Sequence, residues 1–167
     1  RRYFGVEQQS AGQAIFVYPD ALPLASRGGE TGWDLTPTGD DVTFFDALLD
    51  ALSKGYCIDK NRIFSIGHSF GANVATTAAL AVAASPRQLT LMDSPEVALA
   101  RFGGAMNDLR YKLPRLAPGR LPGQTFVDSY ISLVGAPYSG LPGLDQVVDV
   151  RLAPPAGDNA GQEHEYP

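Results

Sequence analysis

The run of apolar and polar positions divides the chain into short elements. Ala14-Ile15-Phe16-Val17-Tyr18 is an apolar stretch of β-forming residues ended by Pro19-Asp20. It is too short for a helix and predicts a buried strand. Residues 21–39 read as a loop rich in Gly, Pro and Thr. Over 40–54 apolar residues recur at Val42, Phe45, Leu48, Leu49 and Leu52, the one-sided stripe of an amphipathic helix. Asp40 and Asp41 stand at the positive end of that helix, and Lys54 and Gly55 close it with a cation and a glycine cap. A turn at Asp59-Lys60-Asn61 leads into a second strand, 62–66, and 70–84 reads as an Ala-rich helix. Farther along, 88–92 and 130–134 read as strands and 95–109 as a helix. Strands alternating with helices predict an α/β fold, a mostly parallel sheet with flanking helices and crossover connections.

Composition narrows this picture. The 167 residues are 44% hydrophobic, enough for one domain with a core, so 1–167 is expected to be a single domain. No run of about 18 apolar residues occurs, which excludes an apolar membrane-spanning helix. The formal net charge of −5 argues against nucleic acid as a partner. Cys57 is the one cysteine and makes no internal disulfide. Gly and Pro crowd the chain from Pro114 onward, which predicts a loop-rich tail. The segment 110–123 carries Arg110, Lys112, Arg115 and Arg120 with no acid among them and reads as a solvated basic loop.

The strongest chemical signal is Gly67-His68-Ser69-Phe70-Gly71, a G-x-S-x-G pattern with a β-forming run before it and a helix-forming run after it. A serine at the tip of a strand-to-helix turn sits in a strained backbone conformation. Small residues two positions away on each side, Gly67 and Gly71, let strand and helix come close. The turn also sets Ser69 at a helix N-terminus, where the N–H of Phe70 points at developing negative charge and serves as an oxyanion donor.

A serine hydroxyl needs a base to take its proton. The chain has two histidines, His68 and His164. His68 lies inside the turn, with its side chain expected to point away from that of Ser69, so His164 is the base by elimination. A third group, an Asp or Glu between them, should orient the imidazole. Asp145 is the first choice, with Asp149, Asp128 and Asp158 as alternatives. Trp33, the one tryptophan, is expected to anchor its loop or to stack on a substrate. No His/Cys cluster has metal-ligand spacing and no glycine loop of a phosphate-binding type occurs, so neither metal nor cofactor is expected.

Six blocks occur in a particular order: Tyr18-Pro19-Asp20-Ala21-Leu22, Gly32-Trp33-Asp34-Leu35, Asp41-Val42 to Leu49, Tyr56-Cys57-Ile58-Asp59, Arg62-Ile63-Phe64 and the Ser69 motif. Together they resemble the secreted polyhydroxybutyrate depolymerase and feruloyl esterase-like group of α/β-hydrolases. The resemblance covers about residues 3–80, and Gly161-Gln162-Glu163-His164-Glu165-Tyr166-Pro167 is similar to that group's closing, histidine-bearing segment. It implies an α/β-hydrolase fold and a secreted enzyme. The chemistry implied is hydrolysis of a small or polymeric carboxylic ester, a feruloyl-type aryl ester or a short hydroxyalkanoate polyester, through an acyl-enzyme on Ser69. It further implies a strand ending in a His-Gly-rich turn, upstream of Arg1, that supplies a second oxyanion donor. The group's acid lies in a His-Gly-x-x-Asp-x-Val-Val-Pro type segment, which Asp145-Gln146-Val147-Val148 echoes in part. Its second cysteine, the partner for the position of Cys57, is absent. The alternative reading is a catalytically incomplete form of this scaffold with a structural or binding role.

Overall fold

The computed structural model describes residues 6–24, 28–34, 39–81, 86–94, 109–116, 118–121, 123–132 and 136–152. Contacts group the chain into two units, Arg1–Trp33 and Asp34–Pro167.

In the first unit a one-turn helix, α1 (Val6–Gln9), precedes a short antiparallel pair, β1 (Leu22–Pro23) with β2 (Thr31–Gly32). The expected buried strand at 14–18 does not form, and Ile15, Val17 and Tyr18 are exposed. Strand structure belongs to a pair, and β-forming side chains alone supply no partner for the backbone N–H and C=O groups.

The second unit opens with α2 (Asp40–Gly55), close to expectation. Val42 is buried and Phe45, Leu48, Leu49 and Leu52 are half-buried along one stripe, while Phe44, off the stripe, is exposed. The helix end differs from expectation. Gly55 is its last helical residue, and the cap is Tyr56 in an extended conformation, its N–H donating to the Leu52 carbonyl at 2.9 Å. A 3₁₀ turn, Lys60–Arg62, follows, with the Asp59 carboxylate accepting from the Asn61 N–H at 2.9 Å.

Four parallel strands form the sheet in the order β3 (Phe64–His68), β4 (Gln88–Met92), β5 (Phe126–Ile131), β6 (Val148–Arg151). The register runs straight across: Gly67 pairs with Leu91 and Leu91 with Ser129, while Asp128 pairs with Val148. This is the parallel α/β sheet that the alternating pattern predicts. β4 matches its predicted bounds. β3 begins two residues later than predicted and β5 four residues earlier. β6 lies within the Pro- and Gly-rich tail, where composition predicts loop.

Helix α3 (Phe70–Ala81) crosses one face of the sheet. Its inner side chains are small, Ala72 and Ala75, so it lies close to Leu89, Leu91 and Val127. Leu109, Leu113, Tyr138, Leu144 and Val147 complete that core. Most of the helix expected over 95–109 lies outside the described residues. A single turn, Leu109–Lys112, and a 3₁₀ turn, Leu113–Leu116, are seen at its end.

The basic segment is only partly the solvated loop expected. Arg110, Arg115 and Arg120 are exposed, but Lys112 is 2% exposed, and its ammonium donates to Asn73 Oδ1 and, at 2.7 Å, to Thr77 Oγ1 of α3. A charge buried at this depth needs hydrogen-bond partners, and α3 provides them.

Candidate active site

Ser69 is the single residue between β3 and α3, with φ 53°. A non-glycine residue in the left-handed region costs roughly 1–2 kcal/mol, so surrounding contacts must hold it there. Two backbone hydrogen bonds do so. The Ser69 N–H donates to the Met92 carbonyl at 2.9 Å, and the Ser69 carbonyl accepts from the Ala72 N–H at 3.0 Å.

The two glycines of the motif prove unequal. A methyl group on Gly67 would sit 2.5 Å from Ala72 Cα and closer still to the Gly71 carbonyl oxygen, so β3 and α3 pack at a distance that only glycine permits. A methyl group on Gly71 would meet nothing within 4 Å. The expectation that both must be small holds for Gly67 and fails sterically at Gly71, because the close approach runs from the strand side onto the helix backbone.

Phe70 is the first residue of α3. The first N–H groups of a helix have no carbonyl of their own helix to donate to, so the N–H of Phe70 belongs to the set that can face an anion. His68 pairs with Met92 and alternates with Gly67 along β3. Since Gly67 faces α3, strand alternation places His68 on the opposite face of the sheet.

The carboxylates fall in different places. Asp128 is buried in mid-strand, accepting from Thr90 Oγ1 at 2.7 Å and Gln88 Nε2 at 3.1 Å. Asp149, in β6, accepts from the Tyr138 N–H at 3.0 Å, the Ser139 N–H at 2.7 Å and Ser139 Oγ at 2.6 Å, and so pins the preceding loop to the strand. Asp145 is exposed and lies in the turn that leads into the N-terminal end of β6. All four strands are parallel and Ser69 follows the C-terminal end of β3. Asp145 therefore stands where the strands begin, three strands from β3, about 14 Å across the sheet. Asp158 and His164 lie outside the described residues. Trp33 is half-buried in the first unit, beside β2. Among the described residues no group of three or more His, Cys, Asp or Glu side chains could hold a metal ion, and no helix is long and apolar enough to cross a membrane.

Sequence reading missed Asp93. It directly follows β4, is 1% exposed, and has φ 48°. Its N–H donates to the Tyr130 carbonyl at 2.8 Å, and its Oδ1 accepts from the Ser132 N–H at 3.0 Å. The signal was available: an Asp-Ser pair immediately after the correctly predicted strand 88–92.

The chain is similar to feruloyl esterase D of Neurospora crassa, 32% identical over 96 residues, which is 57% of this chain and 30% of that protein. It is likewise similar to feruloyl esterase C of Emericella nidulans, 32% identical over 90 residues, 54% of this chain and 30% of that protein. The match thus spans under a third of the length of these relatives. No family model matches the chain, and no solved structure matches it.

Proposed function

We propose that this chain forms a single α/β-hydrolase-type domain and carries the nucleophile of a serine carboxylic-ester hydrolase acting on feruloyl-type aryl esters. The observation that supports this most is the backbone at Ser69. A serine held at φ 53° between a parallel strand and a helix, with Gly67 against the backbone of Gly71 and Ala72, is the turn this chemistry requires. The partial likeness to feruloyl esterases points to the same bond.

In the proposed reaction the hydroxyl of Ser69 adds to the ester carbonyl while His164 takes its proton. The N–H of Phe70 donates to the oxyanion. His164 then returns the proton to the leaving alcohol, and water releases the acid from the acyl-enzyme in the reverse sequence. A carboxylate orients His164. No cofactor enters this scheme, the partner is the ester itself rather than nucleic acid, and a secreted location suits a polysaccharide-linked substrate. Short hydroxyalkanoate polyesters are a second substrate class for the same chemistry.

A fluorophosphonate probe tests the reading. The folded chain is expected to be labelled at Ser69 and the Ser69→Ala variant to stay unlabelled. A folded wild-type chain that takes no label sinks the reading and leaves a scaffold with a structural or binding role.

A further inference from the structure

Ser69 and Asp93 occupy matching positions on neighbouring strands. His68 pairs with Met92 at the end of the β3–β4 ladder, and the Ser69 N–H continues the ladder onto the Met92 carbonyl. The next position on each strand is therefore Ser69 on one and Asp93 on the other, with Cα atoms about 5 Å apart. Ser69, Asp93 and Ala11 are the non-glycine residues with positive φ among those described, so two of the three stand side by side here. The C-terminal edge of a parallel sheet is the edge where α/β proteins place their chemistry.

We infer that Asp93 is the carboxylate that orients and charges the histidine base serving Ser69. The inference rests on the serine-hydrolase reading above and supplies its carboxylate. Burial is the first argument. A triad acid must stay ionised, fixed and shielded from water, which calls for a buried carboxylate held by backbone N–H groups. The buried carboxylates among the described residues are Asp93 and Asp128. Asp128 sits in mid-strand, level with Thr90, and Thr90 and Gln88 hold it there. Only Asp93 is at the edge that Ser69 occupies.

Distance is the second argument. The Asp93 carboxylate reaches toward the end of β5, where it accepts from Ser132, and so leans away from β3. It stands between one and two strand spacings from Ser69, that is between about 5 and 10 Å. An imidazole with a hydrogen bond at each end spans roughly 7 Å from hydroxyl to carboxylate, which falls inside that interval.

The third argument is an incomplete polar site. The residue that donates to Asp93, Ser132, also carries a hydroxyl that is buried with no partner among the described residues. Buried hydroxyls are nearly always paired, so the hydroxyl of Ser132, like that of Ser129 in mid-strand, can take one more hydrogen bond. The neighbouring backbone is firmly placed. Ser94 Oγ and Tyr138 Oη are hydrogen-bonded at 2.6 Å, and the Ala136 N–H donates to the Ser94 carbonyl at 3.1 Å. These bonds fasten the chain after β5 to the residue following Asp93 and restrict how far the carboxylate can move.

Asp93 acts through the imidazole and is a positioning residue, so its test needs a readout that a fold defect would not mimic. Wild type, Asp93→Asn, Asp93→Glu, Asp145→Asn and Ser69→Ala are compared on methyl ferulate, with circular dichroism to confirm folding. Asp93→Asn is expected to lower kcat about 10⁴-fold with KM little changed, and Asp93→Glu to recover part of the loss. Proton NMR should show a low-field imidazole N–H resonance, the mark of a histidine bonded to a carboxylate, in wild type and Asp145→Asn but not in Asp93→Asn. Wild-type kcat in Asp93→Asn, or loss of kcat and of the resonance in Asp145→Asn instead, overturns the assignment. Full activity in Ser69→Ala overturns the serine-hydrolase reading, and the resonance then decides the Asp93 pairing by itself: its absence from wild type rejects it.

Discussion

Two regions of the second unit place residues of the proposed chemistry by different means. In the turn 67–72 the constraints are local, apart from the bond of the Ser69 N–H to the Met92 carbonyl. Gly67 meets the backbone four and five residues ahead of it, and Ser69 is bonded to Ala72 three residues ahead. In the segment 136–149, which runs from the crossover after β5 into β6, the constraints come from far along the chain. Ala136 donates to Ser94, Tyr138 shares a hydrogen bond with Ser94, and Leu144 packs in a core with Ala72 and Leu89. A short motif suffices to read the first region. The second cannot be read without knowing which strands are neighbours.

Four substitutions sharpen this contrast, two in each region. Gly67→Ala has the largest expected effect. The added methyl group runs into helix backbone rather than into a flexible side chain, and the loss should be about 3 kcal/mol or more. Urea unfolding measures it, and a variant as stable as the parent would show that strand and helix are not so close. Asp149→Ala comes next. It strips the Tyr138 and Ser139 N–H groups of their charged acceptor, and a loss of roughly 1.5–3 kcal/mol is expected, seen as a lower Tm. An unchanged Tm would mean that the crossover is not pinned by this carboxylate.

Gly71→Ala is the mirror of the first change. It enters open space in the first turn of α3, so it should be neutral or stabilise by up to about 1 kcal/mol, mainly by restricting the unfolded chain. A penalty like that of Gly67→Ala would erase the asymmetry between the two glycines. The smallest effect belongs to Asp145→Asn. The side chain is exposed and makes no hydrogen bond or ion pair with the described residues, so stability should change by less than about 0.5 kcal/mol. A larger loss in calorimetry would reveal a structural contact for this acid.

The same division runs through the fold. Helix α2 was legible because its stripe, Val42 to Leu52, is written at a period of 3.6 and needs only one apolar neighbour to settle on. β4 was legible from the alternation of Gln88-Leu89-Thr90-Leu91-Met92, whose Leu residues both reach the core. Residues 14–18 have as good a strand composition and form no strand, because a ladder needs a second strand in register and composition does not provide one. β6 was missed for the converse reason. Val148-Asp149-Val150-Arg151 is brief and flanked by Pro and Gly, and it becomes a strand because β5 offers it a free edge.

By itself the sequence determined the α/β class, the helix stripe and the serine turn, since each depends on residues within a few positions of one another. Only the tertiary structure decided that Gly67 and not Gly71 is sterically constrained, that Lys112 is buried against Asn73 and Thr77, and that Asp93 stands beside Ser69. Those facts depend on strand order and register. Asp93 is 24 positions from Ser69 in the chain and one strand away in space, and it is the hydrogen-bonded ladder between β3 and β4 that brings the two together.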